Sequence, residues 1–408
     1  MNFVKSNINL YINYIALAYA FTLPLSRAGI VFFSVLFILL WFIEGKILSK
    51  LNIIIKHKLI LAIFIFILWN FISLLWSDEL GEGLKYIKRY WYLFPLLVLL
   101  SSLKKEFIPK ILSAFIMGMF VSEIISYGIF FELWHFKGAT PQNPSPFMHH
   151  IEYSVFLALT ALILLGRMFH EENIKYKLIY FAFFSSIIGN LFLNAGRTGQ
   201  LAFLVGLFVL VLLNFKNKFK AFVVFSTLSI LIITIAYNFS QTFHQRVQRG
   251  QTDLLLVMEK QNYCTSWGGR VGAWILSKDI IVSAPVLGVG LVDNMTIFHE
   301  NIDKNYPKMQ CMHKTFMHVH NQFLQILTQL GIIGLFSFLM IFYFLGKLSI
   351  KNREYYNIQF VYLSLLMFAF LPEVLFHRQF SLALFTLIVG LLLAEERVER
   401  EEASKLLI

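Results

Sequence analysis

Apolar runs of membrane-spanning length follow one another along most of this chain, and they limit its folds more than any other feature. A helix needs about 20 mostly apolar residues to cross a bilayer. The pattern predicts an all-α, polytopic integral membrane protein with twelve spans, near residues 10–26, 28–43, 59–76, 90–103, 108–131, 151–168, 177–193, 198–214, 219–238, 320–345, 357–372 and 379–394. The fourth and the last are short, so eleven or thirteen spans are the alternatives.

The composition agrees with a membrane protein. Of the 408 residues, 58% are hydrophobic and 14% are charged, whereas a soluble domain carries about 25% charged residues. The net charge of +12 does not indicate nucleic-acid binding, because the Lys and Arg residues lie in short clusters between apolar runs. Such clusters set the topology and contact anionic headgroups.

The basic residues also predict the orientation. With the N-terminus in the cytoplasm, the cytoplasmic connections carry most of the Lys and Arg residues and the short external ones carry few, as the positive-inside rule requires. We therefore expect spans one to nine over 1–238 and a large, partly helical periplasmic loop with membrane-surface helices over 239–319. Residues 320–408 would hold spans ten to twelve and a charged cytoplasmic tail, of which 395–402 should stay solvated.

The long loop contains both cysteines, Cys264 and Cys311. In an oxidising compartment they could form a disulfide. Two independent thiols are an equal alternative, because the sequence does not show whether their Cα atoms come close enough.

Residues 266–279 of the loop predict a helix lying on the membrane surface. Ser266 could cap its start, and Arg270 would lie near the polar boundary. The predicted apolar side consists of Trp267, Val271, Trp274 and Leu276.

An external connection carries Lys85, Lys88, Arg89 and Tyr92 at helical spacing, so they could share one face. Three cations on the external side oppose the positive-inside tendency. An anionic ligand and snorkelling beside the aromatic belt explain them equally well.

Two further external turns contain candidate residues. Arg197 lies in so short a turn that it must reach the outer headgroup level, where a guanidinium suits bidentate phosphate binding or pairs with lipid phosphate. In a proline-rich loop, His149, His150 and Glu152 match no strong metal-ligand spacing. The sequence favours a polar cavity lining for them.

His320 directly precedes the tenth predicted span. A neutral imidazole can accept a proton near neutral pH and act as a general base, although a histidine at a helix start is more often structural. His318 lies two residues earlier, so on a helix its side chain would point in a different direction from that of His320. Asn321 could cap the span.

Three elements around these residues resemble motifs of the O-antigen ligase and O-antigen polymerase superfamily. Arg270-Val-Gly-Ala-Trp274 is similar to its Arg-x3-Trp element, and residues 285–290 are similar to its Pro-x-x-Gly-x-Gly element. Residues 320–334 resemble its His-Asn-x-x-Leu-Gln…Gly-x-x-Gly element. The turn Asn194-Ala-Gly-Arg197-Thr198-Gly199 also resembles the family's Ser-Arg-Thr/Ser-Gly turn, with a departure before the final glycine.

The resemblance implies transfer of an undecaprenyl-diphosphate-linked glycan at the periplasmic face of the bacterial inner membrane, in lipopolysaccharide biosynthesis. The acceptor of the ligases is the lipid A–core oligosaccharide. The resemblance also implies that His320 deprotonates the acceptor hydroxyl and that Arg197 and Arg270 hold the diphosphate, with no metal, nucleotide or other cofactor. A single displacement would then invert the anomeric centre. We expect further substrate contacts from Lys85, Lys88, Arg89, Tyr92, Asn321 and His318.

Alternatives remain within and outside this chemistry. An O-antigen polymerase or a protein O-oligosaccharyltransferase would use the same kind of donor. A transporter or flippase could use Glu123 and Glu373 as proton sites, but the sequence shows no inverted repeat that would favour one.

Overall fold

Helices make up most of the computed structural model, which describes residues 2–136 and 138–406. Within these residues there is no strand, only an isolated bridge between Thr140 and Asn143. The α-helices are α1 (Asn2–Thr22), α2 (Arg27–Glu44), α3 (Ile47–Lys56), α4 (Lys58–Ser73), α5 (Leu80–Lys88), α6 (Phe94–Ser102), α7 (Ile108–Phe130), α8 (His150–His170), α9 (Ile174–Leu193), α10 (Arg197–Asn214), α11 (Lys218–Phe239), α12 (Gln241–Lys260), α13 (Ser266–Ser283), α14 (Asp293–Asn305), α15 (Gln310–His313), α16 (Gln322–Gly346), α17 (Arg353–Ala369) and α18 (Gln379–Lys405). The all-α prediction is confirmed.

Eight helical segments in the described residues are long and apolar enough to cross a membrane. They contain α2, α4, α7, α8, α9, α10, α11 and α16. The other four predicted spans also form helices, namely α1, α6, α17 and α18. The polytopic architecture is confirmed, and the count of twelve crossings stays a prediction.

The centre of the bundle is formed by α8, in which every residue from Ile151 to Leu165 is buried. It packs against α9, α10 and α17. A helix that is apolar on all sides has no face to offer to water, so a position surrounded by other helices stabilises it best.

The charged end of α18 is docked against the bundle over 395–399, where the prediction that it stays solvated was wrong, whereas 400–402 are exposed as predicted. Glu396 is buried, lies 3.0 Å from His57 Nε2 and accepts a hydrogen bond from the Ser349 amide. Glu399 accepts hydrogen bonds from the amides of Lys351 and Asn352, at 2.7 Å each. These carboxylates satisfy backbone donors of the connection before α17, a contact that charge patterning along one helix does not reveal.

The helix α16 is broken at Gly331, whose φ of 62° and ψ of −166° are not helical. The segment 285–290 fills the break. The amides of Val289 and Gly290 donate to the carbonyls of Thr328 and Gln329, and the Ile332 amide donates to Pro285. The Pro-x-x-Gly-x-Gly element therefore supplies backbone partners that an interrupted helix would otherwise lack.

We expect Gly331→Ala to destabilise the protein by about 3 kcal/mol or more, because this φ/ψ region is essentially restricted to glycine. A Cβ at this position would also overlap the Val286 carbonyl. Thermal unfolding in detergent measures the effect. Gly346→Ala in the same helix is the control, since its Cβ would meet only the Leu363 side chain, at 3.3 Å. Equal unfolding temperatures for the two variants would contradict the prediction.

Candidate active site

His320 lies at the junction between the long loop and α16. Its φ is 50°, a left-handed conformation that is uncommon for residues other than glycine. The next residue, Asn321, accepts hydrogen bonds from the amides of Phe323 and Leu324 and so caps α16 as predicted. The turn holds the imidazole at the helix start, while the predicted contact of Asn321 with substrate stays a prediction.

A second segment, 370–378, lies against this junction. The Gln322 amide donates to the Phe370 carbonyl, and the Gln322 side-chain oxygen accepts from the Phe376 amide, both at 2.8 Å. These two hydrogen bonds bring Glu373 beside His320, although the two residues are 53 positions apart.

Glu373 is fully buried and contacts two imidazoles and one guanidinium. Its carboxylate oxygens lie 3.3 Å from His320 Nδ1, 3.4 Å from His318 Nε2 and 3.1 Å from Arg378 Nη2. Burial alone would raise the pKa of this carboxyl, but the hydrogen bond with His320 and the nearby cationic groups lower the pKa to about 2. An ionised Glu373 can orient His320 and stabilise it once protonated, as the acid of a catalytic triad does.

The two histidines differ in their surroundings. His318 is a lining residue of the large cavity described below, and burial lowers its pKa to about 3, so it is neutral at physiological pH. The His318 and His320 rings are 4.2 Å apart between centroids.

The ligand atoms of His318, His320 and Glu373 lie within 4.8 Å of one another and so could hold a metal ion. The guanidinium of Arg378 already donates to Glu373 and lies 3.4 Å from His318 Nε2. A divalent cation would have to displace this arginine or lie beside its charge, which costs electrostatic free energy. The prediction that the reaction needs no metal therefore stands as a prediction, and the cluster suits proton transfer better than metal binding.

Arg197 and Arg270 meet at a single serine. Arg197 Nη2 lies 2.8 Å from the Ser266 hydroxyl oxygen, and Arg270 Nη1 lies 3.2 Å from it. The sequence suggested Ser266 as the cap of α13. In the structure Thr265 accepts the capping hydrogen bond from the Gly268 amide instead. The Ser266 side chain is thereby available to both guanidiniums.

Arg270 also connects Ser266 to the 370–378 segment. Its Nε donates to the Pro372 carbonyl at 3.3 Å. Burial lowers the pKa of Arg270, and the Glu373 carboxylate opposes this shift. The arginine pair and the His320–Glu373 pair thus lie in one neighbourhood.

The helix predicted over 266–279 exists as α13, and contact of its Trp267, Val271, Trp274 and Leu276 side with the membrane stays a prediction. The residues that it buries against the protein are Gly268, Gly269, Gly272, Ala273, Leu276, Ser277 and Ile280. They pack with α14 and α15 in a small core of the loop's own, which includes Phe298, Ile302 and Met312. Small residues on one face let the neighbouring helices approach, and Trp267 and Trp274 are left half-buried.

Cys264 and Cys311 form a disulfide with a Cα–Cα distance of 5.8 Å. The bridge joins the connection before α13 to α15. It therefore ties the segment that carries Ser266 to the segment that leads to His318 and His320.

We expect loss of this disulfide in a Cys264→Ser, Cys311→Ser variant to destabilise the loop by about 4 kcal/mol, because a bridge across this chain length restricts the unfolded loop. Thermal unfolding in detergent with and without reductant measures it. Reductant should lower the unfolding temperature of the wild type and leave that of the variant unchanged. A wild-type protein insensitive to reductant would contradict the prediction.

A cavity of about 1090 Å³ opens beside the His318–Glu373 cluster. Of the predicted substrate-binding residues, Lys85, Arg89, Tyr92 and His318 line it. Lys88 is exposed and is not among the lining residues. The lining also contains Arg27, Glu82, Tyr86, His149, Glu152, His377 and Arg378. Cationic side chains outnumber carboxylates, so the cavity suits an anionic ligand.

Contacts between residues 86–89 and the 370–378 segment hold the cavity wall in place. The ring of His377 stacks on Tyr86 with centroids 3.6 Å apart. Arg89 Nη1 lies 3.2 Å from His377 Nδ1. Burial and the charge of Arg89 lower the pKa of His377 to about 3, so its neutral ring can accept a hydrogen bond from the guanidinium.

Several site residues were missed from the sequence. Glu373 was considered only as a proton site of a transporter, and Arg27 and Arg378 were not singled out. Arg27 and Arg378 are cations on the predicted external side, which is the same feature that drew attention to Lys85. Glu373 could not be linked to His320, because the link depends on the tertiary contact of the 370–378 segment.

Comparison with known proteins bears on this site. Residues 180–339 match the family model described as O-Antigen ligase. Over these residues the chain is similar to the O-antigen ligase superfamily. The matched region contains Arg197, Arg270 and His320, whereas Lys85, Arg89 and Glu373 lie outside it.

A curated relative is similar over part of its length. It is an uncharacterized protein of Haemophilus influenzae, 24% identical over 226 residues, which are 52% of this chain and 55% of the relative. The chain thus matches about half of that relative's length.

Proposed function

We propose that this protein is an O-antigen ligase. It transfers an undecaprenyl-diphosphate-linked glycan to a hydroxyl of the lipid A–core oligosaccharide at the periplasmic face of the inner membrane. The observation that carries the proposal is the meeting of two clusters at one place, the His320–Glu373 pair and the Arg197–Ser266–Arg270 group.

The reaction needs a base and an anion site. The acceptor hydroxyl loses its proton to His320 while its oxygen forms a bond to the anomeric carbon of the donor. The bond from that carbon to the phosphate oxygen breaks, and the diphosphate leaves with the electron pair. Arg197 and Arg270 stabilise the negative charge that develops on the leaving group. One displacement of this kind inverts the anomeric centre, and retention in the product would argue against it.

The cavity supports a place for the acceptor. Lys85, Arg89 and Arg378 present positive charge within it, and His318 connects it to Glu373. Phosphates or carboxylates on a core oligosaccharide would bind to such a lining. Tyr92 adds an aromatic surface for a sugar ring.

The disulfide supports the orientation. Disulfides persist in the periplasm and are rare in the cytosol. The bridge between Cys264 and Cys311 therefore favours an external position for the loop, in agreement with the distribution of basic residues.

A lipopolysaccharide gel of a deletion strain tests the proposal. Loss of a ligase leaves the core without any O-chain, and a plasmid copy of the gene should restore the ladder. A core that carries a single repeat would identify a polymerase instead. Unchanged lipopolysaccharide would overturn the proposal, and loss of glycan from a glycoprotein would indicate a protein O-oligosaccharyltransferase.

The broken helix α16 bears on the transporter alternative. The break at Gly331 is filled by protein backbone from the segment 285–290, and the Leu330 carbonyl accepts from Trp69 Nε1 at 3.1 Å. A transport pathway would need such backbone groups to face a substrate. The filled break favours the ligase.

A further inference from the structure

The helix α12 presents one face to the neighbourhood of Arg197. Phe243 packs edge-to-face on Phe192 at the end of α9, with ring centroids 5.0 Å apart. A Cβ at Gly250 would lie 3.6 Å from Trp267 Nε1, and Asp253 accepts a hydrogen bond from the Trp267 amide at 3.2 Å. The contact positions 243, 250 and 253 share one helical face.

Arg246 lies on this same face, one turn before Gly250. It is half-buried, and its charge acts on both Arg197 and His150. Arg246 is therefore placed between the end of α9, the start of α10 and the start of α13, where Ser266 and Arg270 are found.

Among the described residues, Arg246 forms no salt bridge, and neither do Arg197 and Arg270. Asp253 is the acidic group whose charge acts on Arg197, and one of its oxygens is engaged by the Trp267 amide. Three guanidiniums in a partly buried place repel one another unless an anion joins them. The arrangement favours a ligand with several negative charges.

We propose that Arg246 is a third arginine of the diphosphate site and binds the donor's diphosphate together with Arg197 and Arg270. The inference rests on the proposed function. A diphosphate linked at both ends carries two negative charges, and it gains a third when the glycan leaves. Arg246 supplies a third positive charge, so we expect the site to bind the diphosphate product more tightly than the donor.

The test uses the full-length protein in detergent or proteoliposomes and three variants: Arg246→Ala, Arg246→Lys and Arg249→Ala. Arg249 is the matched control, because it lies on the same helix, carries the same charge and is exposed. Arg246→Ala should lower kcat/KM for the lipid-linked donor by roughly 10- to 100-fold, as expected for a lost hydrogen bond to a charged group. It should also weaken the binding of inorganic pyrophosphate, while Arg249→Ala should do neither.

The outcomes separate this inference from the proposed function. If the wild type transfers glycan and Arg246→Ala behaves like Arg249→Ala in both assays, Arg246 is not part of the site. If the wild type binds pyrophosphate through Arg246 but transfers no glycan, the anion site is supported and the ligase proposal fails. Should Arg246→Ala not fold, Arg246→Lys replaces it. Weaker pyrophosphate binding by this folded variant supports the inference, and wild-type binding overturns it.

Discussion

Replacing His320 with alanine is expected to lower the rate of glycan transfer by about 10²–10⁴-fold, the usual contribution of a positioned general base. The protein should still fold, because Asn321 caps α16 and Gln322 holds the 370–378 segment without the imidazole. The buried Glu373 would keep Arg378 as its partner, at 3.1 Å.

The rate is measured with lipid-linked glycan and purified acceptor in proteoliposomes, together with the thermal unfolding temperature of each variant. His313→Ala is the matched control, since His313 lies in the same loop and pairs with Asp303 in an exposed position. His318→Ala should reduce the rate less, because His318 lines the cavity and is not expected to take the proton. A His320→Ala protein with the wild-type rate would exclude His320 as the base.

Alanine in place of Arg197 or Arg270 is expected to lower kcat/KM by about 10²–10³-fold, as for removal of a donor that stabilises developing negative charge. Lysine should recover little of this loss. An ammonium group cannot reach the Ser266 hydroxyl and bind phosphate with two parallel hydrogen bonds, as a guanidinium can. For Arg270, lysine would also lose the contact with the Pro372 carbonyl.

Initial rates at several donor concentrations measure these effects. Lys278→Ala provides the control, because Lys278 lies on the same helix as Arg270 and is exposed. Full activity of the two lysine variants would mean that positive charge alone is sufficient. Wild-type rates for the alanine variants would remove both arginines from the mechanism.

The candidate site was partly readable from the sequence, because some of its residues carry local signals. Arg197 lies in a turn too short to leave the headgroup region, and His320 directly precedes a long apolar run. Ser266, Arg246 and Glu373 have no such signal. A serine near a helix start indicates a cap, and an arginine in a polar segment indicates a solvated surface. Glu373 was interpreted only as a possible proton site of a transporter. Their positions in the site depend on which helices pack together.

The same distinction applies to the prediction for the end of α18. The charged end of α18 has the pattern of a solvated helix, yet Glu396 and Glu399 bind groups contributed by a distant connection. The side of α13 that the protein buries carries its smallest side chains, because α14 and α15 approach there. The sequence did not indicate this contact.

The all-helical membrane architecture, the polar loop and the resemblance to O-antigen ligases could be predicted from the sequence, because hydrophobic length and motif spacing are properties of continuous segments. The contact of Glu373 with His320, the serine shared by Arg197 and Arg270, and the pairing of the two cysteines became visible only in the folded protein. Each of these depends on a distance of a few ångströms between segments far apart in the chain. Local pattern cannot determine such distances, because they result from the packing of whole helices.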